Sequence, residues 1–287
     1  MTVDVEEYFQ VEAFANQVSV SSWGSFKSRL EGQIDILLEV FEHHDVKATF
    51  FTLGWVAKSC PNVIKKIVNQ GHELASHGFM HQHITRQSQE EFRQDIQSAK
   101  KILEDVSGSA VLGFRAPCFS IRHDNDWAHE EIALAGYHYS SSSYPINHDL
   151  YGVPNAPSTP YRLGNGLLEI PVTTCKLMGK TLPAGGGGYF RLLPYAFFKF
   201  LLNKSLLSGG PANFYTHPWE FDPEQPRLPG DFKSQFRHNV NQKHAANKLR
   251  RLCNDFSWGT MQECYLGGDE YPLFDTWLKA ANAKSTN

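Results

Sequence analysis

The sequence has no CxxC pair, no long apolar run and almost no net charge, and each absence removes a class of protein. Its five cysteines (Cys60, Cys118, Cys175, Cys253 and Cys264) are odd in number and scattered over 287 residues. Neither a disulfide framework nor a thiolate zinc site is therefore expected. The greasiest stretch, Phe197 to Leu207, is broken by Lys199, Asn203 and Lys204, which leaves it well short of the roughly 18 apolar residues of a membrane span. The opening Met-Thr-Val-Asp-Val-Glu-Glu has neither the basic nor the apolar segment of a secretory leader, so a cytoplasmic protein is expected. With 27 Lys+Arg against 30 Asp+Glu, the formal charge is −3. That balance argues against a nucleic-acid partner bound by counterion release. There is no internal repeat and no clear linker, so residues 1–287 are expected to form a single domain.

What is present is an ordinary globular composition, 41% hydrophobic and 20% charged, with 13 His and 13% aromatic residues. Short β-rich runs alternate with helical stretches, the pattern of a parallel α/β fold. Seven strands are expected: Thr2 to Val5, Lys47 to Leu53, Glu73 to His77, Val111 to Ala116, Tyr137 to Ser141, Leu167 to Val172 and Asn213 to Thr216. Leu30, Ile34, Leu37, Leu38 and Phe41 recur at helical spacing, as do Phe92, Ile96, Ala99, Ile102, Leu103 and Val106. Ser88 with Glu91 forms a capping box for the second helix and Gly108 stops it, while Pro61 opens a shorter helix ending at Gly71. Asn147 to Pro160 and Leu182 to Phe190 read as loops. The second contains Gly185 to Gly188 without the Lys-Ser/Thr ending of a phosphate loop. Its backbone is expected instead to pass close to a ligand or another chain segment. From Arg237 onward, Leu249, Leu252, Phe256, Leu273 and Trp277 read as a C-terminal helical extension.

Four strand ends carry side chains capable of chemistry. Asp4 and Glu6 are two apart and face one side of a strand, while Val5 and Glu7 face the other. His77 and His81 share a face if the segment is helical, or converge across a tight turn, and neutral imidazole is a preferred ligand of zinc-like metals. His83 would crowd the same metal, and His72 reads as a packing histidine. Phe114-Arg115-Ala116-Pro117-Cys118-Phe119 delivers one Arg to a strand end, ahead of backbone N–H groups that can face an oxyanion. Tyr215-Thr216-His217-Pro218-Trp219-Glu220 places a His suited to general acid catalysis, with Trp219 as a cleft wall.

Taken in order, Thr2 to Glu6, Ala48-Thr49-Phe50-Phe51, Gly71 to His77 with His81, Phe114 to Pro117 and Tyr215 to Glu220 resemble the polysaccharide deacetylases with NodB homology, carbohydrate esterase family 4. The stretch Gly187 to Pro194 resembles the exosortase-A-system (PEP-CTERM locus) exopolysaccharide deacetylases in particular. The resemblance implies a distorted (β/α)7 barrel and a metal-dependent N-deacetylase acting on an N-acetylated glycan. It implies Asp4 as general base, Arg115 as its tether and His217 as general acid. The Cys118 N–H would help bind the oxyanion, with Phe119, Tyr189 and Trp219 around the substrate. A divalent metal, zinc above cobalt, nickel or iron, would sit on His77, His81 and a carboxylate. The family's usual Asp after the base is Val5 here, so the ligand role passes to Glu6 or Glu7, and facing geometry favours Glu6. Relatives usually read Tyr-Asp-Ser-Ser where this chain has Tyr139-Ser140-Ser141-Ser142. That departure motivates one alternative, a catalytically weak glycan-binding member; a small-amide hydrolase of the allantoinase-like branch is a second, ranked lower because the aromatic, Gly-rich loop suggests a longer ligand. Oligomeric state is not readable from these residues.

Overall fold

The computed structural model describes residues 1–148, 152–207, 209–268 and 270–274. All seven expected strands are present, each trimmed to its paired centre: β1 Thr2–Val5, β2 Thr49–Thr52, β3 Glu73–Ser76, β4 Gly113–Phe114, β5 Tyr139–Ser140, then β7 Leu168–Glu169 and β10 Tyr215–Thr216. The sequence reading missed three more, β6 Tyr161–Arg162, β8 Thr174–Leu177 and β9 Lys180–Pro183. The main sheet runs β10-β1-β2-β3-β4-β5-β7-β6, and every pairing is parallel except β6 with β7. It curls into a distorted half-barrel whose ring is finished by Asn213 rather than by a regular ladder. Thr173 N donates to Asn213 O at 3.2 Å, and Asn213 Nδ2 donates to Ile170 O and Pro171 O at 3.3 and 3.1 Å.

The core explains the shape. Val3, Val5, Phe50 and Phe114 are completely buried against Leu30, Ile34, Leu37 and Phe41 of the helix Leu30–His43. A strand covered by helices excludes water from its backbone, and only a parallel α/β layering provides that cover on successive strands. The helix Gln89–Ser107 is capped as expected, with Ser88 and Glu91 in a reciprocal box and Gly108 left-handed at φ 70. Leu249 and Leu252 lie in the helix Gln242–Asp255 and are fully buried in the main core. Phe256 falls just past that helix, Leu273 bridges to Arg162, and Trp277 lies outside the described residues.

The expected loop from Leu182 to Phe190 is corrected. Its first residues finish β9 and its last lie in a short helix, Gly187–Leu192. Between them the glycines run beside β10, where Tyr215 N donates to Gly185 O at 2.7 Å. A Cβ on Gly186, held at φ 114, would collide with Tyr215 O, so the close approach to another chain segment is real. Among the described residues of 147–160 there is no helix or strand.

His72 is the packing residue it was read to be. Its Nδ1 accepts from Ala48 N at 3.2 Å, its ring packs on Phe41 and Phe50, and burial with a smaller push from Lys47 lowers its pKa to about 4. A folded value below the ordinary 6.5 means the stabilisation is complete above pH 6.5 and is lost as pH falls toward 4. Urea unfolding should show wild type losing roughly 2–3 kcal/mol more than His72→Phe across that window. Parallel curves for the two proteins would refute the assignment.

Candidate active site

The C-terminal ends of the parallel strands converge on one cleft of about 400 Å³. Alternation along β1 and its continuation turns Asp4 and Glu6 into it, both almost fully buried. Glu7 faces away, where its Oε2 accepts from Arg29 N at 3.4 Å. Of the two open ligand candidates, Glu6 is therefore the one that meets the histidines.

His77 follows β3, and His81 arrives across a turn, not a helix, with Gly78 at φ 75 and His81 itself at φ 52. The turn is clamped from outside: Gly54 N and Trp55 N donate to Gly78 O and Phe79 O, and Phe79 N donates to Asp95 Oδ2. His77 Nδ1 sits 2.8 Å from Arg115 O. A carbonyl can only accept, so Nδ1 carries the proton and Nε2 keeps its lone pair. One donor atom each from Glu6, His77 and His81 lie within 4.8 Å of one another. Glu6 Oε2 is 2.8 Å from His81 Nε2, yet it is buried and makes no aligned hydrogen bond. Burial alone would raise the Glu6 pKa, but His81, His217 and His77 more than offset it and hold the carboxyl far below its usual range. Two imidazoles and an ionised carboxylate with an orphaned oxygen fit a divalent cation of the zinc class. His83 is not part of the cluster; its Nδ1 pairs with Thr85 Oγ1 at 2.7 Å.

Arg115 is completely buried and fixes Asp4 from below. Its Nη1 donates to Asp4 Oδ1 at 2.5 Å and Thr2 Oγ1 at 2.8 Å, its Nη2 to Ser141 Oγ at 2.9 Å and Asn213 Oδ1 at 3.3 Å. The guanidinium also stacks 4.0 Å over the Phe51 ring. Ser140, which stands where relatives carry Asp, pairs its Oγ with Ser142 Oγ at 2.8 Å and is not among the partners of Arg115. Arg115 is therefore held without it.

On the opposite wall, His217 Nδ1 pairs with Glu220 Oε1 at 2.7 Å, and Nε2 lies 3.5 Å from Glu6 Oε1 and 4.0 Å from Asp4 Oδ2. Burial would lower the His217 pKa, but the Glu220 hydrogen bond and the carboxylates of Glu6, Glu220 and Asp4 outweigh it and raise it. Glu220 is in turn locked by Arg191 Nε at 2.6 Å, which burial opposes and Arg191 with His217 overcome, holding the carboxyl down at about 2. Sequence reading missed this pair. The only local signal was the three-residue spacing of His217 and Glu220, which forms a capping box; the 29-residue reach to Arg191 is tertiary. His148, on the cleft wall near Tyr189, was missed as well.

Trp219 lines the cleft, as expected, and also acts on the carboxylate. It is buried between His217 and His238, and its Nε1 donates to Glu6 Oε1 at 3.1 Å, so it orients the carboxylate. Cys118 and Phe119 do line the cleft, and both are left-handed, at φ 57 and 49. Successive left-handed residues turn backbone N–H groups toward one side, a concavity suited to an anion. The Phe119 N–H is used by Ala116 O, whereas the Cys118 N–H closes no such turn. Tyr189 is half-buried on the rim.

Residues 30–139 match the polysaccharide deacetylase family model. Residues 141–266 match a domain of unknown function (DUF3473). The cleft thus draws His77, His81 and Arg115 from the first segment, His217, Glu220 and Arg191 from the second, and Asp4 and Glu6 from before both. The chain is 34% identical over 96 residues to a peptidoglycan-N-acetylglucosamine deacetylase of Bacillus cereus, covering 33% of this chain and 35% of that protein. It is 36% identical over 80 residues to a chitooligosaccharide deacetylase of Azorhizobium caulinodans, covering 28% and 38%. The matched segments thus span little more than a third of these relatives. The fold is shared with a Mycobacterium smegmatis crystal structure assigned to the polysaccharide deacetylases, at TM-score 0.58 and 18% identity over 91% of this chain and 87% of that one. It is also shared with a family 4 carbohydrate esterase from Streptomyces lividans, at TM-score 0.51 and 14% identity over 94% and 95%.

Proposed function

We propose that this chain is a metal-dependent N-deacetylase that removes acetyl groups from amino-sugar residues of an exopolysaccharide or its precursor, with both matched segments acting as one catalytic domain. The observation that carries the reading is the juxtaposition, in one buried cleft, of an Arg-held carboxylate, a His/His/Glu cluster and a Glu-paired histidine. An acetamide resists hydrolysis because its carbonyl is a weak electrophile and its amine a poor leaving group. Glu6, His77 and His81 would hold a divalent cation, zinc in first place, which when bound supplies the Lewis acidity that polarises the carbonyl and lowers the pKa of the attacking water. Asp4, kept in place by Arg115, accepts the proton of that water. His217, whose Nδ1 is tied to Glu220, delivers a proton from Nε2 to the departing nitrogen. The Cys118 N–H is free to donate to the developing oxyanion. Phe119 and Tyr189 offer flat surfaces to a sugar ring. The exopolysaccharide subgroup rests on the resemblance of the Gly187 to Pro194 stretch, whose Arg191 locks Glu220.

The test is acetate release from N-acetylhexosamine oligomers. Protein loaded with zinc, cobalt, nickel or iron is expected to release acetate, to stop on chelation and to recover on metal return. Glycan binding that survives chelation without any acetate would instead establish the non-catalytic reading, and hydrolysis confined to small cyclic or ureido amides the allantoinase-like one.

A further inference from the structure

Between Glu169 and Glu220 the sequence has no acidic residue but five basic ones, Lys176, Lys180, Arg191, Lys199 and Lys204, in a chain of overall charge −3. Arg191 is consumed by Glu220, and Lys199 pairs with Asp255 at 2.9 Å. For the other three, no carboxylate lies within ion-pair distance among the described residues.

These three stand on one small structure. β8 and β9 form an antiparallel hairpin whose tip, Met178-Gly179, leaves Met178 95% exposed between Lys176 and Lys180. The inner face of the hairpin packs Cys175 against Leu201 of the helix Tyr195–Leu206. That helix buries Tyr195, Phe198 and Leu202 in the molecule. Phe197, Phe200, Lys204 and Leu207, spaced by three, four and three residues, form its outward stripe. Phe197 and Phe200 are 40% and 49% exposed and Leu207 is 87% exposed. Beside the stripe, Lys176 and Lys204 wall a cavity of about 360 Å³ whose remaining lining includes Thr173, Thr174 and Ser205.

A glycan-binding platform would set several carboxylates and amides around its aromatic rings to bond sugar hydroxyls, and this helix offers no carboxylate and one exposed amide, Asn203. A protein-binding groove would be concave, whereas here Phe197 and Phe200, stacked on each other at 6.3 Å, protrude with Met178 and Leu207 beside ammonium groups. Protruding Met, Phe and Leu interleaved with Lys, with no opposing acid, match a surface whose outer plane is anionic and whose next layer is hydrocarbon. We propose that the hairpin β8–β9 and the outer stripe of the helix Tyr195–Leu206 dock this chain on an anionic lipid bilayer. Met178, Phe197, Phe200 and Leu207 reach the acyl boundary, and Lys176, Lys180 and Lys204 meet headgroup phosphates, one of which fits the hydroxyl-lined cavity between Lys176 and Lys204. This docking is separate from the hydrolytic cleft and would bring the enzyme to glycans at a membrane surface.

The test is sedimentation of the full chain with vesicles of phosphatidylcholine, alone or containing a quarter phosphatidylglycerol. Binding is expected to the anionic vesicles only and to be released by high salt. Lys176→Glu with Lys204→Glu, and separately Met178→Ser with Phe200→Ser, are expected to weaken it at least about tenfold. Both variants should keep the wild-type unfolding midpoint and the wild-type rate on soluble oligomers, since none of these side chains touches the cleft. No binding to anionic vesicles, or equal binding by all three proteins, overturns the proposal. So does a dimer in analytical ultracentrifugation that the same substitutions dissociate, because a second copy would then cover the face.

Discussion

Alanine at His77 or at His81 is expected to reduce bound divalent metal from about one equivalent per chain to below a tenth, with the fold retained. Each histidine supplies one of three protein donors, and two donors at this spacing do not hold a labile divalent ion against dilution. The two substitutions differ in a second respect. His77 is anchored through Nδ1 to Arg115 O, so its loss frees a carbonyl that water can reach through the cleft. His81 Nε2 lies 2.8 Å from Glu6 Oε2, and removing it leaves a buried carboxylate beside an empty volume. His81→Ala should therefore be the less stable of the two, by about 1–3 kcal/mol in urea unfolding. Elemental analysis after gel filtration reads the metal directly. A full equivalent in both variants would show that the ion, if bound, sits elsewhere.

Arg115→Met is expected to be the most destabilising single change in the site, by about 3–5 kcal/mol, because it leaves Asp4 buried and uncompensated. It also removes hydrogen bonds to Thr2, Ser141 and Asn213, which tie β1, the residues after β5 and the approach to β10 together across the half-barrel. Arg115→Lys keeps the charge but has no planar fork to span three strands, so it should recover only part of the loss. Adding Asp4→Asn to Arg115→Met removes the unpaired charge and should restore roughly half of it. Urea unfolding of wild type, Arg115→Met, Asp4→Asn and the double variant measures the cycle. A loss below 1 kcal/mol for Arg115→Met would mean that Asp4 does not depend on its partner.

Much of this was readable from residue order, for physical reasons. A parallel strand presents its last residues at one edge of the sheet, so His77, Arg115 and His217, each at a strand end, had to converge. The period of two along β1 put Asp4 and Glu6 together and sent Glu7 to Arg29. What was hidden depended on distant segments. Attention fell on Ser140, where the family residue is missing, while the neighbouring Ser141 and Asn213, 72 positions apart, are what hold Arg115. Trp219 was legible as a cleft wall, but its hydrogen bond to Glu6 spans 213 positions and was not. β6, β8 and β9 escaped because they are short and lack clean alternation. The glycine run gave the right constraint and the wrong local structure, since close approach to β10 demanded glycine while the flanking residues remained free to form a strand and a helix.

The central claim is that Asp4 removes a proton in an amide hydrolysis carried out beside Glu6, His77 and His81. It is tested most directly by acetate release from N-acetylhexosamine oligomers, comparing wild type with Asp4→Asn at equal metal content. Asn is isosteric and leaves the three proposed ligands untouched, so metal should bind as before while turnover falls by about 10²–10⁴-fold. Asp4→Asn that releases acetate as fast as wild type, or wild type that releases none from any glycan with its metal in place, would contradict the account.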